Sequence, residues 1–188
     1  RDFDIWISDI SDSNAKSEPS NVRYVNSSSY EPSIYFSEDG NYFVASSDRA
    51  GGFGGLDLYE SRKLADGSWS ELVNLGPKIN TQYDEDAPYI DPDGVTLYFA
   101  SKGHSSMGGF DIFKTIRKTK DQWSDIINMG FPVNTPGDEI FFIMTQKYNR
   151  AYYSSDNLKG YGDMDLYRIT FADERHSMAE LKGLVLED

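Results

Sequence analysis

An all-β fold made of repeated antiparallel sheets is what this sequence predicts, and three observations predict it. The segments opening at Asp57 (DLY), Asp111 (DIF) and Asp165 (DLY) lie 54 residues apart, and Asp4 (DIW) lies 53 residues before the first of them. Other landmarks keep the same interval: Trp69 and Trp123, Asn80-Thr81 and Asn134-Thr135, Asp84-Glu85 and Asp138-Glu139, Asp39-Gly40 and Asp93-Gly94, and Ser47, Ser101 and Ser155. Within each unit the text is strand-like, broken by glycine-bearing turns, with no helical stretch on which a crossover could run. Four short antiparallel strands per repeat of this length describe a β-propeller blade.

Taken in order, the chain opens inside a unit. Arg1 to Asp9 corresponds to a third strand, and residues 10–23 hold a polar loop and a weak fourth strand without the tryptophan found at Trp69 and Trp123. The first complete blade runs from about Tyr30 to Asn74, and the second from about Asp84 to Asn128. In that second blade Ala87 to Ile90 is the first strand, Asp93-Gly94 the turn and Thr96 to Ala100 the second strand. Phe110 to Thr115 is the third strand, and Gln122 to Ile127 around Trp123 the fourth. Asp-Gly suits the turn because glycine adopts the positive φ such hairpins need. The third blade starts near Asp138, with IFFIM and AYYSS on either side of a Tyr148-Asn149 turn and then MDLYRITF. It has no fourth strand before the beat fails after Phe171.

Residues 1–171 thus hold about three and a half blades. Residues 172–188 read as a charged linker, ADERHSM, and the alternating first strand of a following β-sandwich domain, AELKGLVLED. Since propellers close with roughly four to eight blades, the expectation is part of a six-bladed ring. Its remaining blades lie upstream or come from another chain.

Composition sets the outer limits. The 188 residues, 14% of them aromatic, suffice to fill a core. There are no cysteines, which removes disulfides and cysteine metal sites from consideration. No apolar run approaches the roughly 20 residues a membrane helix needs, so direct membrane insertion is not expected. Thirty-one acids against eighteen bases give a net charge of −13, which argues against nucleic acid as a partner. The opening RDFDIWISD is unlike a signal peptide, so any targeting segment is expected to lie outside this sequence.

The text of residues 93–139, DG.TLYFAS....GG.DIF....W....N.G..VNT..DE, resembles the TolB-like propeller repeat of OmpA-family envelope lipoproteins, including PorE-type components of the type IX secretion system. The resemblance spans residues 1 to about 171. The closing AELKGLVLED resembles the first strand of the carboxypeptidase-regulatory-like domain that follows the propeller in such proteins. What the resemblance implies is a periplasmic, outer-membrane-associated accessory module that faces envelope protein partners. Peptidoglycan would be bound only through a separate OmpA-like domain. The resemblance brings no catalytic residues and no cofactor.

Several constellations bear on chemistry. Glu31, Asp84, Glu85, Asp86, Asp138 and Glu139 stand just before the innermost strand of their blades, which would gather them at the mouth of the central channel. Clustered carboxylates there suit a cation or a basic peptide. Alternatively, they cap turns and hold the backbone near Asn80, Thr81, Asn134 and Thr135. Asp57, Asp111 and Asp165 are one blade apart, too far for a paired acid and base. They are expected to accept backbone N–H groups of the preceding glycine loops. Those loops, with Gly51-Gly52, Gly54-Gly55 and Gly108-Gly109, precede strands rather than helices and so do not make a phosphate site.

Gly103-His104-Ser105-Ser106-Met107 lacks the second glycine of a nucleophile elbow. His104 and His176 have no partners at metal-ligand spacing, so no metal site is expected. Ser37-Glu38-Asp39-Gly40 does not fit the aspartate box of sialidase-type propellers. Trp69 and Trp123 are expected to pack between blades, with an exposed sugar platform as the other possibility. Asn26-Ser27-Ser28 matches a glycosylation acceptor, a pattern short enough to arise by chance. The sequence therefore points to a non-enzymatic scaffold, against an alternative of a glycan-binding or glycan-cleaving propeller.

Overall fold

The computed structural model describes residues 4–8, 10–11, 14–15, 18–145, 149–156 and 160–171. The 172–188 tail, with His176, lies outside them, as does Tyr148. Near the start, β1 (Trp6–Ile7) pairs with β4 (Ser20–Asn21), and β2 (Ile10–Ser11) with β3 (Asn14–Ala15). A four-stranded antiparallel sheet follows in chain order: β5 (Ile34–Phe36), β6 (Tyr42–Ser47), β7 (Asp57–Arg62) and β8 (Val73–Asn74). The next sheet holds β9 (Glu85–Ile90), β10 (Thr96–Ser101) and β11 (Asp111–Thr119), with β12 (Gln122–Trp123) and β13 (Ile127–Asn128) both paired to β11. In the last, β14 (Glu139–Thr145), β15 (Arg150–Ser155) and β16 (Asp165–Thr170) make three strands.

The 54-residue beat is a spatial register. Ser47 lies opposite Asp57, Ser101 opposite Asp111 and Ser155 opposite Asp165, each pair closing the second-to-third-strand connection of its sheet. The Asp-Gly turns carry φ of 64° at Gly40 and 71° at Gly94, a conformation glycine adopts without Cβ strain. Two details differ from the sequence expectation. The fourth strand is interrupted: Trp123 belongs to β12 while Ile127 belongs to β13, and Trp69 makes only an isolated bridge to Lys63. The innermost strands also carry bulges in their pairing with β10 and β15, next to the positive φ of Ala87 (47°) and Phe141 (59°).

Sheet packing explains why Leu97 to Ala100 of TLYFA is a continuous apolar run instead of alternating. Leu97 and Phe99 turn one way, into a core shared with Tyr42, Val44, Leu58 and Ile79 of the preceding sheet. Tyr98 and Ala100 turn the other way, into a core shared with Phe142, Ala151 and Tyr153 of the following sheet. A third core joins Phe43 and Ala45 to Val22 and Val25. A strand buried on both faces needs apolar side chains on both. The chain is therefore part of an all-β propeller, in which successive like sheets supply each other's cores. Ser33 and Tyr35, Ala87 and Pro88, and Phe141 and Ile143 converge from the innermost strands on a cavity of about 320 Å³.

Candidate interaction face

The segment entering each blade is built around a buried glutamate. Glu31, Glu85 and Glu139 are completely buried. Glu85 accepts from the Thr81 N–H at 2.8 Å, the Thr81 hydroxyl at 2.7 Å and the Ser101 hydroxyl at 2.7 Å. Glu139 repeats this with Thr135 and Ser155, and Glu31 with Ser27 and Ser47. Glu31 alone adds a 3.2 Å bridge to Arg49. Burial pushes the Glu85 carboxyl above the usual range, against the pull of its Thr81 and Ser101 bonds. These glutamates tie the chain entering a blade to the end of that blade's second strand, with their oxygens turned inward.

The aspartates that open the third strands organise the preceding loops. Asp57 accepts from the N–H groups of Phe53 and Gly54 and from the Asn74 amide. Asp111 accepts from the Met107 N–H and the Asn128 amide, and Asp165 from the N–H groups of Tyr161 and Gly162. Asn80 then joins this anchor to the next blade. Its oxygen accepts from the Leu58 N–H at 2.8 Å while its nitrogen donates to the Leu58 carbonyl at 3.0 Å. Asn134 does the same to Ile112, and Asn26 to Ile5. The Asn26 amide of the apparent glycosylation acceptor is thus held by backbone. Its place 54 residues before Asn80 was the sequence signal for that role.

Asp84 and Asp138 sit at the same end as the loops and hold them to the following blade. Asp84 accepts from the Leu56 N–H at 3.1 Å and from the Lys102 ammonium at 2.8 Å, and Asp138 accepts from the Phe110 N–H at 2.6 Å. Partial burial works to raise the Asp84 carboxyl, but the Lys102 and Leu56 bonds outweigh it and leave it lowered. The loop backbone must come close to make these bonds. A Cβ at Gly54 would lie 1.9 Å from the Tyr83 carbonyl oxygen, and one at Gly108 would lie 2.3 Å from that of Pro136. Close approach is the reason for glycine there. Asp86, by contrast, faces between sheets. It accepts from the hydroxyls of Ser33 at 2.5 Å and Ser46 at 2.6 Å, clamping the first complete blade to the second.

The geometry therefore brings the entering segments and the second-to-third-strand loops to one end of the sheets, while Glu31, Glu85, Glu139 and Asp86 are buried within it. Trp69 and Trp123 are both half-buried. Trp69 packs edge-on against Phe43 and stacks on Tyr24, and Trp123 lies 4.2 Å beneath the Arg117 guanidinium. His104 sits between Phe99 and Phe113, with Nε2 2.7 Å from the Ile79 carbonyl oxygen. Arg49 serves the equivalent carbonyl of Val25 one blade earlier, at 2.7 Å. Among the described residues no three His, Cys, Asp or Glu side chains are grouped to hold a metal.

Repeated antiparallel sheets of like strand order, packed face to face and opening their loops at a common end, define the class: a propeller built of like blades. No protein-family model and no curated protein matches the chain. Among solved structures, it is similar to the structure of putative TolB from Agrobacterium tumefaciens, with a TM-score of 0.52 and 17% sequence identity. The similarity covers 77% of this chain and 46% of the other, so this chain corresponds to less than half of that protein. Likeness at this level is likeness of fold.

Proposed function

We propose that this chain is a non-enzymatic protein-interaction module, presenting the loop end of its blades to a protein partner in a periplasmic, outer-membrane-associated assembly. The carrying observation is that Asp84 and Asp138 bind the loops of one blade to the entry of the next. Loops from successive blades thereby become one continuous, fixed surface. Loops held on a rigid scaffold are the usual place for recognition. The finer assignment follows the sequence resemblance: a secretion-linked role, with peptidoglycan held by another domain of an OmpA-family lipoprotein, and further blades completing a six-bladed ring. Of the six acids at the blade entries, Asp84 and Asp138 are partly exposed, while Glu31, Glu85, Asp86 and Glu139 support the face from within.

A photo-cross-linking side chain at exposed Gln82, compared with one at exposed Asp66 in the turn at the opposite end, tests the reading in cells. A discrete envelope-protein adduct from Gln82 and none from Asp66 is expected. Equal adducts from both sites, or none from Gln82, would overturn it. A melting temperature raised by oligosaccharides or muropeptides would favour the glycan-binding alternative instead.

A further inference from the structure

The loops of the interaction face share one feature that the fold does not require. Phe53, Met107 and Tyr161 occupy the same register, one blade apart, and each donates its backbone N–H to the aspartate opening the next strand. That anchor uses no side-chain atom of the three, so any residue with a backbone N–H would serve. Yet all three are large and apolar or aromatic, and they stand 50%, 51% and 103% exposed. Tyr83, 52% exposed, adds a fourth such side chain where its carbonyl meets the Gly55 N–H. One exposed apolar residue means little, but repetition at a single register across three sheets makes a ladder along one rim.

Charge around the ladder narrows what would cover it. Asp48, Asp84, Asp138, Asp156 and Asp163 belong to the described parts of these loops and entering segments. The cations beside them are Arg49, Lys102 and Lys78, paired with Glu31, Asp84 and Asp125. An anionic bilayer would be repelled by such a rim, whereas a cationic chain would be drawn to it.

Resting on the scaffold reading above, we infer that the rim formed by Phe53, Met107 and Tyr161 binds an extended segment of a partner protein in which apolar side chains alternate with lysine or arginine. The apolar side chains would cover the ladder, and the cations would meet Asp48, Asp138, Asp156 and Asp163, which form no salt bridge among the described residues.

The test takes the whole protein and a phage-displayed random peptide library, with counter-selection on the combined Phe53→Ser, Met107→Ser, Tyr161→Ser variant. Serine keeps the backbone N–H that the anchoring aspartates need, so an unchanged melting temperature is expected; Tyr161→Ser alone, the most exposed position, provides a second variant. Selected peptides should be rich in alternating apolar and basic residues. A synthetic peptide of the consensus should bind on the order of tenfold more weakly to Tyr161→Ser, and more weakly again to Asp163→Lys or with added salt. No enrichment, enrichment of acidic sequences, or binding that survives the triple variant would overturn the inference. So would co-sedimentation with phosphatidylglycerol vesicles that is lost in the triple variant, since the occupant would then be a membrane. A Gln82 adduct that persists in the triple variant would sink this inference and leave the scaffold reading standing.

Discussion

Each asparagine that closes a strand end does so with both halves of its amide, which makes it harder to replace than a residue with one bond. Asn134 accepts from the Ile112 N–H and donates to the Ile112 carbonyl and to Asn128. Asn134→Ala leaves those buried groups unmatched and should cost about 1–3 kcal/mol in urea denaturation. Asn134→Asp should cost more, because an oxygen then faces two acceptors. His104 gives a pH-dependent counterpart. Burial lowers its affinity for a proton below the ordinary histidine value of 6.5, outweighing the favourable bond to the Ile79 carbonyl. Between the lowered folded value and about 6.5 the unfolded chain binds more proton, so stability rises with pH through that window and is lost as pH falls through it. His104→Gln should flatten this slope in denaturation curves taken from about pH 5 to about pH 7. Asn80 and Asn134 were legible in the sequence because Asn80-Thr81 and Asn134-Thr135 keep the 54-residue interval. The half-buried setting of His104 was not, since Gly103-His104 has no counterpart at Arg49-Ala50 to reveal a common role.

Among elements, the sheet-to-sheet contacts are where a repeat stops being informative. Glu60 on β7 and Arg117 on β11 form a bridge between adjacent sheets, with both side chains nearly buried and Arg117 sandwiched between Trp123 and Tyr42. The blade beat places Lys114 where a second Glu60 would stand and Lys63 where an earlier Arg117 would stand, so nothing in the spacing marks the pair. Removing one partner strands the other charge. Glu60→Ala and Arg117→Ala should each cost about 3–5 kcal/mol. The double variant should cost less than their sum, and a strictly additive cycle would show that the bridge is not coupled. Trp123 is only half-buried, so Trp123→Ala should fall below the roughly 3–5 kcal/mol expected of a fully buried aromatic, while Phe99→Ala should reach it. The strand order was legible from Asp-Gly turns and apolar runs. The bulges at Ala87 and Phe141 were not, because neither residue type announces a positive φ.

Across the whole molecule, one register position reports how far the propeller extends. Leu58, Ile112 and Leu166 follow the three anchoring aspartates by one residue, and the first two are completely buried between sheets. Leu166 is 75% exposed, on the face of the last sheet where the others meet a neighbour. A branched aliphatic side chain at the same place is thus core twice and surface once, which is what a repeat gives when its partner sheet is not among the described residues. The prediction is graded accordingly. In the isolated chain, Leu58→Ala and Ile112→Ala should each cost about 2–5 kcal/mol, and Leu166→Ala within about 0.5 kcal/mol of nothing. If further blades complete the ring, the same Leu166→Ala in the complete assembly should become as costly as the other two. A Leu166 cost that stays near zero there would mean that no sheet packs on this face, and the ring would then have to be abandoned in favour of an open stack.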